Sequence, residues 1–331
     1  MTDAGRDPRT VAEAGEAAVL ETLRGDPPAV DDPVGNGDDA AVLGPSAATV
    51  VTTDMLVEGT HFRLDLTSWF ELGRRAVAQN VSDVLAMGAD CSRVLVAVAL
   101  PGWTPLADVG RLADGIHAET ARSGAVVVGG DLTAADAVVV CVTALGGLPD
   151  GARPLRIDGA RPGDRIALTG SPGRSAAGLA LLLAGHREGP LQDVYRVPET
   201  PVGSGVAARE SGATALTDVS DGLLRDLSGM ARASGVAADL AVDALPVDPA
   251  IRRAADLLAS SGTDPAALAA DWVLDGGEDQ GLLAAFPPDA VVPPGFVVVG
   301  SFRRGEPGEV TVDGAPRTPG GWDSARGAGS R

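Results

Sequence analysis

Residues 50–62 read VVTTDMLVEGTHF. The run Thr49 to Thr53 is short, β-branched or apolar, and bounded by turn residues, which is the pattern of a strand; Asp54 stands at its end. The same construction recurs along the chain. Asp131 closes VVVGGD at 126–131, Asp218 and Asp221 close ATALTDVSD at 213–221, and Asp38 with Asp39 precede AAVL at 40–43. Strand ends in layered α/β structures open onto crevices where ligands bind, so several distant segments are expected to converge on one acidic site. Carboxylates brought close together repel and raise one another's pKa, and a divalent cation is the simplest relief. Mg²⁺ takes hard oxygen ligands, keeps several waters and favours one or two carboxylates plus substrate phosphates. Thr52, Thr53 and Ser220 add neutral oxygens beside the acids, a mixture that suits magnesium better than zinc. One aspartate at a strand end is ordinarily a turn or helix cap, so the weight falls on their number. Asp83, within NVSDVLAMGA at 80–89, sits on a predicted helix among apolar neighbours, where it either caps or reaches a cation.

Around these acids the pattern predicts an α+β arrangement. A helix over Val11 to Arg24 ends at Gly25 before Pro27 and Pro28, a stop signal. Strands are expected at Ala40 to Leu43 and Thr49 to Thr53, then a helix capped by Ser68 and running to Met87, with Gly88 at its end. Cys91 to Leu100 reads as a buried strand, Leu106 to Arg122 as a helix, and Ala125 to Val128 and Ala137 to Leu145 as further strands. The Gly-, Pro- and Arg-rich stretch Gly146 to Gly163 marks the domain boundary, giving domains at 1–147 and 148–331. The second half restarts with a strand at Asp164 to Thr169, the loop GSPGRS at 170–175 and a helix from Ala176 to Ala184. Two more strand, loop and helix units are expected around Thr214 to Ser234 and Leu274 to Ala285.

Composition narrows the function. A length of 331 residues suggests two domains. The net charge of −19 argues against nucleic-acid or anionic-membrane partners, whose phosphates must be met by excess cationic side chains. All 26 basic residues are arginine, which excludes Schiff-base chemistry and the lysine of a GxxxxGK[ST] phosphate loop. Cys91 and Cys141 lie in apolar runs and read as reduced core residues. No signal peptide and no apolar run near the ~18 residues of a membrane span is present, so the expected compartment is the cytoplasm. The turn GSPGRS either presents backbone N–H groups to an anion or only packs closely. His61 follows Glu58 and Gly59 in a turn, whereas His117 and His186 read as solvated or structural. Trp322, isolated in GGWDS, either folds back on the body or stacks on a ligand ring.

Read in order, GNGDDAAVL, VTTDMLVEGTHF, NVSDVLAMGAD, VVGGDLT, TGSPGRSAAGL, LTDVSDGLLRDL and DGGEDQGLL span nearly the whole chain. The series resembles the thiamine-monophosphate kinase family, of the aminoimidazole ribonucleotide synthetase-like superfamily. The resemblance implies an N-terminal α+β domain that dimerises through its sheet and a C-terminal α/β domain closing over a cleft. It implies ATP and thiamine monophosphate as ligands, several Mg²⁺ ions, and a homodimer. Asp39, Thr52, Thr53, Asp54, Asp83, Asp131, Asp218 and Asp221 match metal positions of the family, with Asp38 beside them. Gly130, Asp131 and Ser220 match ATP contacts, and Arg156 is assigned as the ATP-contacting arginine. His61, Glu278 and Trp322 match contacts to the thiamine phosphate. Gln280 and Gly281 stand where the family usually has Tyr and Glu. Selenophosphate synthesis, a rival within the superfamily, calls for a reactive Cys or selenocysteine and a Lys near a Gly-rich N-terminus, which this chain lacks. A catalytically silent nucleotide-binding protein is the rival of another class, favoured only by Gln280 and Gly281.

Overall fold

The computed structural model describes residues 9–14, 18, 22, 48–260 and 262–321. Asp38, Asp39, Trp322, the expected strand at 40–43 and much of the expected first helix lie outside the described residues. The chain divides into two compact units, one holding the residues up to Val84 with Cys91–Gly151, the other Leu85–Asp90 with the residues from Ala152 onward.

In the N-terminal unit, β1 (Ala48–Val57), β2 (Asp90–Leu100), β3 (Val126–Ala134) and β4 (Val139–Leu148) form a four-stranded sheet in the order β1-β4-β2-β3. β1 and β4 are antiparallel, and β2 and β3 are parallel. The short helix α1 (Val11–Ala14) begins with a capping box, in which the Thr10 N–H donates to Glu13 Oε2 at 2.8 Å. Helix α2 (Trp69–Ala86) opens the same way, the Ser68 N–H donating to Glu71 Oε2 at 2.7 Å. Helix α3 (Leu106–Ser123) ends on Gly124 in a left-handed conformation. One face of the sheet carries Leu56, Val94, Val96, Val98, Val140 and Val142, all buried. Strict period-two alternation puts their neighbours on the other face, where Val51, Met55 and Leu95 are exposed.

Two strands are longer than the pattern predicts. β1 continues four residues past Thr53 and β3 six past Val128, so Asp54 and Asp131 lie inside strands rather than at their ends. For β3 the cause is local. A Cβ on Gly130 would overlap the Val96 carbonyl, so glycine here allows a close approach to the neighbouring strand.

The C-terminal unit has a seven-stranded mixed sheet in the order β11-β10-β7-β9-β5-β8-β6. Its strands are β5 (Arg165–Thr169), β6 (Ala215–Val219), β7 (Ala237–Leu240), β8 (Gly281–Phe286), β9 (Phe296–Arg303), β10 (Val310–Val312) and β11 (Ala315–Pro316). Only β10 and β7 pair in parallel. The helices are α4 (Arg174–Leu183), α5 (Pro190–Arg196), α6 (Ser204–Glu210), α7 (Leu223–Ser234), α8 (Pro249–Leu258) and α9 (Pro265–Asp275). Leu168, Leu223, Leu227, Met230, Leu283 and Phe302 belong to one buried cluster between sheet and helices, each large apolar side chain contributing about 1.5–3 kcal/mol by leaving water. The unit expected around Leu274 to Ala285 runs in the opposite order, helix α9 first, then a loop, then strand β8. Its apolar run was too short for periodicity alone to separate a strand from a buried helical segment.

Candidate functional site

In the N-terminal unit, β1 and α2 bring one group of the expected residues together. Thr52 and Asp54 are two apart on β1 and share the helix-facing side of the sheet. Thr52 Oγ1 donates to Asp83 Oδ2 of α2 at 2.8 Å. Asp54 is held at two points by the same helix: Gln79 Nε2 donates to its Oδ2 at 2.6 Å, and its N–H donates to Asn80 Oδ1 at 2.9 Å. Spacing explains the arrangement, because positions 79, 80 and 83 fall on one helical face. Gln79 and Asn80 are functional supports that the sequence reading missed; their polarity within a buried face, with Asn80 almost wholly enclosed, was the available signal.

Thr53 and Asp131 belong elsewhere. Thr53 points to the exposed face of the sheet, its hydroxyl donating to the Val142 carbonyl at 3.1 Å and lying 3.0 Å from Thr143 Oγ1. Asp131 pairs in register with Ala97, an exposed residue of β2. β1 and β3 are the two edges of the sheet. Among the described residues, the expected metal residues of this unit therefore lie on both faces of the sheet, Thr52, Asp54 and Asp83 on one and Thr53 and Asp131 on the other.

His61 occupies the turn after β1. The Val57 N–H donates to its Nδ1 at 3.0 Å, so Nδ1 is an acceptor and the neutral ring carries its proton on Nε2. Glu58 continues the ladder with β4, its N–H donating to the Val138 carbonyl at 3.0 Å.

In the C-terminal unit, strand directions put three turns at one end of the sheet. β8 is antiparallel to both β5 and β6, so the loop entering β8 adjoins the loops leaving its two neighbours. These are residues 276–280, 170–175 and 220–222. Asp218 is next to last in β6, and Asp221 lies in the following turn with Ser220. The Glu278 N–H donates to the Ser220 carbonyl at 2.7 Å and the Gln280 N–H to the Val219 carbonyl at 2.9 Å. Glu278 and Gln280 have φ of 68° and 56°, left-handed values that cost a non-glycine residue energy and tend to persist where surrounding bonds impose them.

Two further acids organise these turns. Asp226 Oδ2 accepts the N–H groups of Ser220, Asp221 and Gly222 at 3.1, 3.1 and 3.2 Å. Burial, then the nearby charges of Asp218 and Asp221, push its carboxyl up to about 8. Asp279 accepts the Gly173 N–H on Oδ2 at 2.6 Å and the Ser175 N–H on Oδ1 at 2.9 Å. Burial raises its carboxyl to about 7, against the opposing pull of those two amides. Two donors of the GSPGRS turn, the Gly173 and Ser175 N–H groups, are thus engaged by a carboxylate of the protein itself. Asp226 serves the turn just before it, within the same SDGLLRDL motif, whereas nothing local in DGGED marked Asp279 as the acceptor for a turn about a hundred residues away.

Arg156 forms a bidentate pair with Asp158, at 2.9 Å from Nε and 2.6 Å from Nη2. This bond holds the Arg156 guanidinium above, and the Asp158 carboxyl below, its ordinary range. Gln280 is buried, and a Cβ on Gly281 would meet the Thr169 carbonyl at 2.7 Å.

The donor chemistry suits a hard cation. The donors bonded around Thr52, Asp54 and Asp83 are hydroxyl, carboxylate and amide groups, and the repulsion that Asp218 and Asp221 add to burial at Asp226 is of the kind a cation relieves. Among the described residues no group of three or more His, Cys, Asp or Glu side chains is placed to hold a metal ion. Each unit offers one or two carboxylates, which is how magnesium is held when phosphate oxygens and water complete its shell.

Residues 37–148 match the AIR synthase related protein N-terminal domain, and 161–291 the corresponding C-terminal domain. Thiamine-monophosphate kinase of Mycobacterium tuberculosis (strain ATCC 25618 / H37Rv) is 44% identical over 320 residues, covering 95% of this chain and 93% of the relative. That of Corynebacterium glutamicum is 40% identical over 337 residues, covering 97% of each. The crystal structure of thiamine-monophosphate kinase from Stenotrophomonas maltophilia K279a matches with a TM-score of 0.74 at 32% identity, over 87% of this chain and 92% of that one. AaThiL complexed with AMPPCP and TMP matches with a TM-score of 0.75 at 30% identity, over 86% of this chain and 90% of that one. With its motif series, its paired AIR synthase related domains and these likenesses along almost its full length, the chain belongs to the thiamine-monophosphate kinase family.

Proposed function

We propose that this chain transfers the γ-phosphoryl group of ATP directly to the phosphate of thiamine monophosphate, giving thiamine diphosphate and ADP as the final step of thiamine diphosphate biosynthesis. The reading places the reaction in the cytoplasm, makes it Mg²⁺-dependent and makes the enzyme a homodimer. What carries it is the gathering of the oxygen donors Thr52, Asp54 and Asp83 on one face, in a chain so like kinases of this name. The relative holding AMPPCP, an ATP analogue, together with TMP supports the same pair of ligands.

The acceptor is a phosphate monoester whose second pKa of ~6 leaves it mostly dianionic at neutral pH, so the step needs no general base. The difficulty is bringing one anion in line with another. Bound magnesium would neutralise the facing phosphate oxygens and hold them in line. Within 1–147, Thr52, Asp54 and Asp83 would hold one ion on the helix-facing side and Thr53 and Asp131 would serve another on the exposed face, with Asp38 and Asp39 in the same proposed set, and Gly130 with Asp131 would contact ATP. Within 148–331, Asp218 and Asp221 extend the metal set, while Ser220 and Arg156 contact ATP. Arg156 must exchange its Asp158 partner for phosphate to do so. His61 donates from Nε2 to the acceptor phosphate, its Nδ1 being already engaged. Glu278 and Trp322 contact the acceptor.

The test is ADP release with thiamine monophosphate against a panel of other phosphomonoesters. Turnover should require thiamine monophosphate, ATP and Mg²⁺ together. Equal release across the panel, or ATP binding without product, would reject the reading.

A further inference from the structure

Three turns meet at one end of the C-terminal sheet; Asp226 ties one of them to the start of α7, and Asp279 ties the other two together. Asp226, in the first turn of α7, collects three consecutive amide N–H groups, at Ser220, Asp221 and Gly222, on a single oxygen. Asp279 instead uses both oxygens, one for Gly173 and one for Ser175. The segment carrying Asp279 is bonded on its other side to the 219–220 backbone through the N–H groups of Glu278 and Gln280. We propose that Asp226 and Asp279 are positioning residues, a pair of clamps that hold the turns 170–175, 220–222 and 276–280 as one surface and so present Ser220, Asp221 and Glu278 together.

Left-handed backbone at Glu278 and Gln280, on either side of Asp279, is the conformation such a clamp would have to maintain. The charged group beside the Asp279 clamp, Arg174, is itself paired with Glu199 at 2.6 Å and Asp248 at 3.4 Å. It is thus not the main partner of Asp279. The proposal rests on the reading that Ser220 and Asp221 serve the nucleotide and its metal and that Glu278 serves the acceptor.

The two acceptor patterns make opposite demands on an asparagine. At Asp226 one carbonyl oxygen can still receive all three amides. At Asp279 an asparagine offers one acceptor for two donors and leaves an enclosed N–H without a partner. The experiment compares full-length Asp226→Asn, Asp226→Ala and Asp279→Asn with the native chain by steady-state kinetics and amide hydrogen exchange. Asp226→Asn should keep the ATP KM within about twofold and leave exchange at 220–222 unchanged, whereas Asp226→Ala should raise both about tenfold. Asp279→Asn should speed exchange at Gly173 or Ser175 about tenfold and raise the acceptor KM several-fold while sparing the ATP KM.

An Asp226→Asn variant as impaired as Asp226→Ala, or native exchange at 173 and 175 in Asp279→Asn, would overturn the proposal. If Asp226→Ala does not fold, Asp226→Asn alone decides, since loss of its KM or its protection is disproof. Ser220→Ala and Glu278→Ala gauge the parent reading: if they leave both KM values unchanged, that assignment fails, and the exchange results still judge the clamps.

Discussion

Asp54 shows how much a single residue's role depends on its supports. Its carboxylate is steered by Gln79 and its backbone by Asn80, so it is oriented without any ion and open to bind one. Asp54→Asn keeps the shape and the Gln79 contact but removes the charge. Turnover at saturating Mg²⁺ should fall by about 100-fold or more while the thermal midpoint moves by a few degrees at most. Near-native turnover would remove Asp54 from the metal set. Asp279 carries a prediction of another kind. Its folded-state value of about 7 lies above the ordinary 3.8, so between roughly pH 4 and 7 the folded protein keeps a proton that the unfolded chain has lost. The stabilisation linked to this group is complete below pH 4 and lost as pH rises through 7, with a limiting slope of about 1.4 kcal/mol per pH unit. Denaturant unfolding of native protein and Asp279→Asn across that range should give a stability difference that shrinks as pH rises; a constant difference would contradict it.

At the scale of elements, helices α2 and α3 cross with almost no space between their backbones. A Cβ on Gly115 would overlap the Phe70 carbonyl, and one on Gly73 would overlap the Leu112 carbonyl. Near the same contact Glu119, fully enclosed, receives Arg74 at 2.9 Å and Arg122 at 2.5 Å. The crossing fixes α2, and with it Gln79, Asn80 and Asp83, against β1. Gly115→Ala is expected to cost about 3 kcal/mol, the upper part of the range for overpacking, because the obstacle is backbone rather than a movable side chain. Urea unfolding measures it directly. A cost under about 0.5 kcal/mol would show that the helices separate easily and do not position the site.

At the scale of the whole molecule, the exposed face of the N-terminal sheet is the feature that a monomer does not explain. Val51 and Met55 on β1 are 60% and 51% exposed, and Leu95 on β2 is 37% exposed. An apolar patch of this kind marks an interface, and a second copy of the chain is the partner proposed for it. Sedimentation at micromolar concentration should give a dimer, and Met55→Glu should shift it towards monomer with little change in the circular dichroism of the fold. A native protein sedimenting as a monomer would withdraw the homodimer.

Local rules made much of this legible beforehand. The cap at Ser68, the stop at Gly88, the strand over 91–100 and the helix from Leu106 each follow from side-chain periodicity and capping chemistry acting within a few residues. Gln280 and Gly281 show the limit: as letters they suggested an altered ligand lining, while in the fold one is buried and the other packs against the Thr169 carbonyl. By itself the sequence determined most described elements of the N-terminal half, the family and the supply of hard oxygen donors, because those depend on composition and short-range pattern. Only the tertiary structure decided that Asp54 and Asp131 lie within strands, on different faces of the sheet, and that Asp279 spends itself on the distant Gly173 and Ser175 amides. Those outcomes depend on strand register and on long-range hydrogen bonds between residues dozens of positions apart, which no local window contains.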